Sequence, residues 1–173
     1  KNLLDVQDLC LLSGLPNLKV LVLYDAQLNE LPSSIGELTN IEKLILTENQ
    51  LTSLPKEFSR LKALKYLNLN RNKFTSFPPE LTSLHNLETL KMEMNQVKGF
   101  GQVFLASAPS NLRVLKLDGN RIESVPSEIG LLQNLEVLEL KTNPIKNLPE
   151  DFGKLSSLTE LELSKTLLET LPT

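Results

Sequence analysis

Apolar residues recur along this chain with a period of about 23 residues. One apolar position of each period is filled by Leu18, Ile41, Leu64, Leu87, Leu112, Leu135 and Leu158, which are separated by 23, 23, 23, 25, 23 and 23 residues. A second position holds proline, at Pro32, Pro55, Pro78, Pro126, Pro149 and Pro172. Periods of about 20 to 50 residues are typical of solenoids, in which each repeat forms one supersecondary unit. The pattern therefore predicts a repeat architecture.

A short stretch of each repeat alternates between apolar and variable residues. In residues 19–23, for example, the inward positions would be Leu21 and Leu23. Because successive side chains of a strand point to opposite faces, this period of two predicts one strand per repeat. Since the strand returns in the same direction after each coil, the strands should be parallel neighbours in one sheet. We expect their centres at Leu21, Leu44, Leu67, Leu90, Leu115, Leu138 and Leu161.

The segments between the expected strands carry the prolines and further apolar residues. Proline fixes φ and lacks a backbone donor, so these segments should be extended or 3-10 helical rather than long α-helices. The fourth full repeat differs, because Gly101 replaces the proline and two residues are added. There we expect a helical turn over residues 102–107. Residues 3–14 align with this long repeat and place Cys10 in the apolar column of Phe104.

An asparagine recurs where the chain leaves each expected strand, at Asn49, Asn72, Asn95, Asn120 and Asn143, while Ala26 and Thr166 fill the first and last of these positions. With this column the repeat, L-x-x-L-x-x-L-x-L-x-x-N-x-L-x-x-L-P, resembles that of the leucine-rich repeat family over almost the whole chain. The resemblance implies an α/β fold, a right-handed solenoid with one curved, concave parallel β-sheet and mostly short 3-10 or extended convex segments. It also implies that the asparagine amides bond to adjacent backbone, so we expect a looser turn at Ala26.

The repeats divide a single expected domain, residues 1–173. A truncated repeat at 1–14 is followed by full repeats at 15–37, 38–60, 61–83, 84–108, 109–131 and 132–154, and by a truncated repeat at 155–173. Because both ends fall within a repeat, we expect the chain to be part of a longer array. Exposed strand edges pair with other chains, so we also expect this span alone to self-associate end to end.

Composition and charge disfavour several kinds of partner and location. A net charge of -3, without clusters of Lys and Arg, disfavours nucleic acid. No apolar run approaches the roughly 18 residues of a membrane-spanning helix. A single cysteine and the absence of Asn-x-Ser/Thr sequons favour a cytoplasmic protein, with a secreted bacterial protein as the alternative.

No combination of residues predicts catalysis, a metal site or a cofactor. His85 is the only histidine and lies in an expected loop, while Cys10 lies in an apolar column, which favours a buried thiol over a nucleophile. Residues 99–103 faintly resemble a nucleotide-binding loop, but a turn into the long repeat explains them better. We therefore predict that the protein is not an enzyme and binds no cofactor.

The outward strand positions are the candidate binding surface, because the repeat leaves their residue types free. The first repeats carry apolar and aromatic residues there, which are typical of protein interfaces, and the last two are acidic. The alternatives are that β-branched and aromatic residues simply favour strands and that the charges are only solvated. The candidate residues are Val20, Val22, Tyr24, Ile45, Tyr66, Arg71, Lys91, Lys116, Glu139 and Glu162, of which Lys116 and Glu139 should be lateral neighbours.

The function favoured by these observations is non-catalytic protein binding on the concave sheet, by a partner with an apolar centre and a basic flank. The repeats are similar to those of intracellular Ras-associated, scaffold and bacterial members of the family, which bind proteins. Two alternatives stay open. The chain could be the substrate-recruiting part of a larger signalling enzyme or effector, or a secreted or surface adhesin that binds a host protein or glycan.

Overall fold

Seven parallel strands form one sheet in the computed structural model, which describes residues 11–12 and 14–170. The strands are β1 (Val20–Val22), β2 (Lys43–Ile45), β3 (Tyr66–Asn68), β4 (Thr89–Lys91), β5 (Val114–Lys116), β6 (Val137–Glu139) and β7 (Glu160–Glu162). They are hydrogen-bonded in chain order, and their central leucines are in register, from Leu21 opposite Leu44 to Leu138 opposite Leu161. The predicted strand centres and the parallel sheet are confirmed.

The segments that return the chain to the sheet are short. 3-10 helices cover Ser33–Glu37, Lys56–Arg60, Pro79–Ser83, Ser127–Leu131 and Glu150–Lys154, each directly after a proline. In the long repeat an α-helix, α1 (Gln102–Ala106), follows Gly101, whose φ of 67° suits glycine. The expected 3-10 segments and helical turn are therefore confirmed. The expected long repeat at residues 3–14, with Cys10, falls mainly outside the described residues.

The core is a continuous stack of inward side chains between the sheet and the return segments. The central leucines of β2 to β6 are 0% exposed. Behind them the Phe77 ring stacks on Phe104, with centroids 4.3 Å apart, and on Phe100 at 5.8 Å. Leu161 of β7 is 41% exposed, because the described residues contain no strand beyond β7 to cover it. The expected end-to-end association stays a prediction. None of the described helices is long and apolar enough to cross a membrane.

Buried asparagines hold the turns that follow the strands. Asn72 is 6% exposed and joins two consecutive repeats. Its Oδ1 accepts the Leu51 N–H at 3.0 Å, while its Nδ2 donates to the carbonyls of Leu46 at 2.9 Å and Leu69 at 3.1 Å. Asn49, Asn95, Asn120 and Asn143 form the corresponding bonds. The amides thus satisfy backbone groups that have left the sheet.

The two departures from the asparagine column differ in effect. At the first turn the N–H groups of Ala26 and Leu28 both donate to Asn49 Oδ1, at 3.2 and 3.0 Å. The turn at Ala26 therefore keeps its bonds to the following repeat, although Gln27 adds a second positive φ, 58°, to that of Asp25, 47°. At the last turn the Thr166 hydroxyl donates to the Leu163 carbonyl at 2.9 Å, which replaces one bond of an asparagine amide.

Two further columns strengthen the stacking and were not identified in the sequence. Exposed asparagines in the loops before β2, β4, β5 and β6 donate to the preceding loop, as Asn86 does to the Lys62 carbonyl at 2.8 Å. At the residue before each of the first six strands the charges alternate from repeat to repeat, as Lys19, Glu42, Lys65, Glu88, Arg113 and Glu136. Glu42 carboxylate oxygens lie 2.9 Å from Lys19 Nζ and 3.0 Å from Lys65 Nζ. The hydrogen bond from Lys19, and next the one from Lys65, lower the pKa of Glu42.

Truncating an inward leucine should cost stability in proportion to its burial. Leu67→Ala should lower the free energy of unfolding by about 2 to 5 kcal/mol, because it leaves a cavity in the stack. Leu161→Ala makes the same change in the same column but at a partly exposed side chain, and should cost about 1 kcal/mol or less. Urea titration of both variants tests this. Equal costs would contradict the inward assignment.

The two kinds of asparagine should also differ in their effect on stability. Asn72→Ala should cost at least about 2 kcal/mol, because each buried polar group left unpaired costs roughly 1 to 3 kcal/mol. Asn86→Ala removes one bond at an exposed site and should cost about 1 kcal/mol or less. Thermal and urea unfolding of the matched pair measure the difference, and a larger loss for Asn86→Ala would be the opposite of our expectation.

Candidate binding surface

The register of the sheet arranges the outward side chains into two rows that cross the strands. One row is Val20, Lys43, Tyr66, Thr89, Val114, Val137 and Glu160, and the other is Val22, Ile45, Asn68, Lys91, Lys116, Glu139 and Glu162. Neighbours in a row lie on adjacent strands, about 4.8 Å apart. One partner could therefore contact several repeats at once. We call this surface the outward face.

Four apolar or aromatic side chains cluster at the β1 end of the outward face. Val20, Val22 and Tyr24 are 52%, 53% and 57% exposed. Ile45 is half-buried and lies directly opposite Val22 in the adjacent strand. We call these four residues the apolar patch. The structure thus brings together four of the predicted binding residues.

A polar network borders the apolar patch where the chain leaves the strands. The Tyr24 hydroxyl is hydrogen-bonded to the Glu48 carboxylate, and this bond raises the pKa of Tyr24. Arg71 Nε lies 3.6 Å from Glu48 Oε1. Glu48 was not among the predicted residues, although it links two of them. The sequence could have indicated Glu48, because it lies one period after Asp25 and one period before Arg71 and so occupies the same position of the repeat as both.

Tyr66 lies at the third strand, between two lysines. Lys43 Nζ is 4.8 Å from the centroid of the Tyr66 ring, and Lys91 Nζ is 5.9 Å from it. Lys43 is exposed, whereas Tyr66 and Lys91 are half-buried. Such distances allow the ring to attract both ammonium groups. Lys43 was not among the predicted residues, although it belongs to the same row as Tyr66.

Lys116 and Glu139 are lateral neighbours, as predicted. Lys116 Nζ lies 2.5 Å from Glu139 Oε1, and the two side chains are only 24% and 14% exposed. The hydrogen bond that the Lys116 ammonium donates to the Glu139 carboxylate raises the pKa of Lys116. Farther along the row, Ser164 donates hydrogen bonds to the Glu162 carboxylate, including one from its backbone N–H at 2.8 Å. These bonds lower the pKa of Glu162. These predicted residues therefore hold internal contacts at the β7 end of the outward face.

Three carboxylates converge beside this ion pair. Oxygens of Glu93, Asp118 and Glu139 all lie within 4.8 Å of one another. The pKa of Asp118 is raised to about 6, mainly because the carboxyl group is partly buried and also because it lies near the charge of Glu139. The Lys141 N–H, which donates to Asp118 at 2.8 Å, acts in the opposite direction. Asp118 and Glu93 were not among the predicted residues, although they occupy the same position in consecutive repeats.

All three of these carboxylates already have protein donors, Asp118 through the Lys141 N–H. Glu93 Oε2 accepts the Asn70 amide at 2.5 Å, and Glu139 accepts Lys116. A cation would have to displace a lysine and an amide to be bound by all three, so the cluster fits an internal charge network better than a metal site.

The ionised form of Asp118 should destabilise the fold. Its pKa rises from an ordinary 3.8 to about 6 on folding, so the destabilisation is complete above pH 6 and absent below about pH 4. Asp118→Asn keeps an oxygen for the Lys141 N–H and removes the charge. This variant should melt at a higher temperature than the parent at pH 7.5, and the difference should shrink to zero by pH 4.

The control for net charge is Glu123→Gln, at an exposed carboxylate outside the outward face. Its thermal shift, measured across the same pH range by circular dichroism, should not follow the profile of Asp118→Asn. A difference between Asp118→Asn and parent that is as large at pH 4 as at pH 7.5 would show that ionisation of Asp118 is not the cause.

Comparison with known protein families matches nearly the whole chain. Residues 2–104 match a model described as a leucine-rich repeat region, and residues 110–168 match one described as a leucine rich repeat. Comparison with the curated proteins gives no match.

Several solved structures are similar to this chain. A leucine-rich repeat protein of Leptospira interrogans is 35% identical, with a TM-score of 0.74 over 96% of this chain and 47% of that one. The ectodomain of the plant membrane receptor kinase GASSHO1/SCHENGEN3 from Arabidopsis thaliana, in complex with CASPARIAN STRIP INTEGRITY FACTOR 2, is 34% identical, with a TM-score of 0.78 over 92% of this chain and 20% of that one. An internalin of Listeria monocytogenes is 25% identical, with a TM-score of 0.78 over 96% and 46%.

The chain spans at most about half the length of these proteins. What they share with it is the repeated strand, turn and return segment described above. The family match over residues 2–104, the parallel sheet and the buried asparagine column together show that this chain belongs to the leucine-rich repeat family.

Proposed function

We propose that this chain is a non-catalytic module that binds another protein on the outward, concave face of its sheet. The observation that carries the proposal is the apolar patch, in which Val20, Val22 and Tyr24 are each more than half exposed. Clustered apolar side chains in water are typical of interaction surfaces. Leucine-rich repeat proteins generally serve as interaction modules, and the similar plant receptor ectodomain was solved in complex with CASPARIAN STRIP INTEGRITY FACTOR 2.

Strand formation alone does not account for the apolar patch. Strand β7 has Glu160 and Glu162 at the positions that Val20 and Val22 occupy in β1, and it forms the same parallel pairing. The fold therefore tolerates charged residues at these outward positions. Because apolar side chains are not needed there for folding, their exposure is better explained by contact with a partner.

The charges on the outward face indicate the flank of the partner. Glu160 and Glu162 lie on β7, at the opposite end of the outward face from the apolar patch. A partner with an apolar centre and a basic flank would complement both ends. Charges at the rim of an interface mainly steer association, so the apolar patch should supply most of the binding energy.

Two wider settings are compatible with this binding role. The similar bacterial proteins favour a secreted or surface adhesin that binds a host protein or glycan, and the similar receptor kinase ectodomain favours a recruiting part of a larger signalling protein. The single cysteine and lack of sequons favour the cytoplasm among the possible locations. The full-length gene distinguishes these settings, because it would show a signal peptide or a fused catalytic domain.

Charging the apolar patch should abolish partner binding. Val22→Glu with Ile45→Glu places unpaired charge in the proposed interface, where its burial is costly. The partner is first recovered by pull-down with the parent chain, and its affinity for each variant is then measured by calorimetry. We expect at least about a hundredfold loss of affinity, equivalent to roughly 3 kcal/mol, with little change in the thermal transition.

The matched control is Ser53→Glu with Ser76→Glu, which adds the same charges to adjacent repeats at exposed positions of the return segments. This control should bind as the parent does. If instead the Val22 and Ile45 variant binds normally, the contact surface is elsewhere. The next candidate is then the cavity between α1 of the long repeat and the following repeat, which is bordered by Leu131, 61% exposed.

A further inference from the structure

We infer that Lys43, Tyr66 and Lys91 form a binding site for a side-chain carboxylate of the partner, next to the apolar patch. The inference rests on the proposed function, because it assigns a chemistry to one part of the same surface. It predicts that the partner segment has an acidic residue near an apolar residue, the first for these lysines and the second for the apolar patch. We call the three residues the lysine–tyrosine site.

The two lysines are held in place by the strands on either side of Tyr66. Lys43 lies directly opposite Tyr66 on β2, and Lys91 comes from β4. Both ammonium groups lie within cation–π distance of the ring, at 4.8 and 5.9 Å. The ring therefore holds both ammonium groups near one position, whereas free lysine side chains would sample many conformations in solvent. This ordering reduces the entropy that binding of an anion would cost.

No carboxylate in the part of the chain that the structure describes neutralises either lysine. Among the described residues, no carboxylate oxygen lies within 4.0 Å of Lys43 or Lys91 Nζ. The next lysine in the same row, Lys116, is paired with Glu139 and so offers much less attraction to an incoming anion. The positive charge available to a partner on the strands of the outward face is therefore concentrated at Lys43 and Lys91.

The surroundings favour a single carboxylate over a more highly charged group. The chain carries a net charge of -3, and two carboxylates that follow β2 and β4 lie beside residues of the outward face: Glu48 is hydrogen-bonded to Tyr24, and Glu93 lies within 4.8 Å of Glu139. A phosphate dianion would be repelled more strongly by these carboxylates than a monoanion would. A carboxylate can accept hydrogen bonds from ammonium groups on both sides, and such charge-assisted bonds are among the stronger ones.

The spacing of the strands relates this site to the apolar patch. Val22 on β1 and Ile45 on β2 lie two strands and one strand away from Tyr66 on β3 and two residues farther along the strand direction, or about 12 and 8 Å from it. Side chains on the same face of an extended peptide recur about every 7 Å. An extended segment that crosses the strands can therefore place an apolar side chain on the patch and a carboxylate, two residues away, on the lysine–tyrosine site.

Selection from a random peptide library tests this chemistry without knowledge of the natural partner. Twelve-residue peptides are displayed and selected on the immobilised chain, and the most frequent sequence is synthesised with an amidated C-terminus, which leaves side chains as its only carboxylates. We expect enrichment of Asp or Glu two residues from a large apolar residue. Replacing that acidic residue by Asn or Gln should weaken binding about tenfold or more, equivalent to at least roughly 1.4 kcal/mol.

Matched variants of the protein locate the effect. Lys43→Gln with Lys91→Gln should lower the affinity for the acidic peptide about tenfold and leave the affinity for its Asn or Gln version unchanged. The control, Lys98→Gln with Lys146→Gln, removes the same charge from exposed lysines of the return segments and should bind as the parent does. Lys43→Arg with Lys91→Arg keeps both charges and should retain most of the affinity. Circular dichroism confirms that each variant is folded.

Several outcomes would overturn the inference. They are a selected pool without acidic enrichment, equal binding of the acidic and neutral peptides, or equal binding by the parent and the glutamine variant. Tighter binding of a phosphoserine version through the same lysines would replace the carboxylate with a phosphate. If neutral peptides are selected and Val22→Glu with Ile45→Glu abolishes their binding, the proposed docking function stands and only this inference fails. If neither double variant weakens binding, both fail.

Discussion

The buried asparagine in the turn after each strand is the interaction on which the rest of the structure depends. Asn95 accepts the Phe74 N–H at 3.1 Å and donates to the carbonyls of Leu69 at 2.9 Å and Met92 at 3.1 Å. A chain that leaves a parallel sheet loses its ladder partners, and buried backbone groups without partners are costly. The amide supplies partners in two consecutive repeats at once. Each turn is therefore tied to its predecessor, and the period of the chain becomes the period of the solenoid.

The long repeat shows that the turns, and not the number of residues between them, control the register. Leu90 and Leu115 are 25 residues apart, yet they face each other as every other pair of central leucines does. Asn120 still accepts the Val97 N–H at 3.0 Å and donates to the Met92 carbonyl at 2.8 Å. The two additional residues are taken up in α1, on the side of the core away from the sheet. A surface built on the strands is therefore unaffected by variation in the return segments.

The same register explains how the outward face acquires its charge pattern. Residues one period apart become lateral neighbours, so each exposed charge meets the charge of the next repeat. Before the strands the signs alternate and the charges are paired, as for Glu42 between Lys19 and Lys65. On and just after the strands the pattern is uneven: Lys116 is paired with Glu139, two lysines lie near the Tyr66 ring, and Asp118 lies among other carboxylates.

The sequence by itself determined the family, the strand centres, the 3-10 segments and the inward or outward direction of each strand residue. These features follow from a local pattern that is repeated seven times, in which the same positions of each repeat must be buried and are therefore apolar. It also predicted the Lys116–Glu139 contact, because a fixed period converts position into lateral distance. Contacts between different positions of neighbouring repeats, such as Tyr24 with Glu48 and Asp118 with Glu139, were decided by the tertiary structure alone. So was the pairing of Lys43 and Lys91 around Tyr66. The physical reason is that the period specifies which backbones are adjacent, whereas side-chain rotamers and burial, which set hydrogen bonds and pKa values, depend on how neighbouring repeats pack.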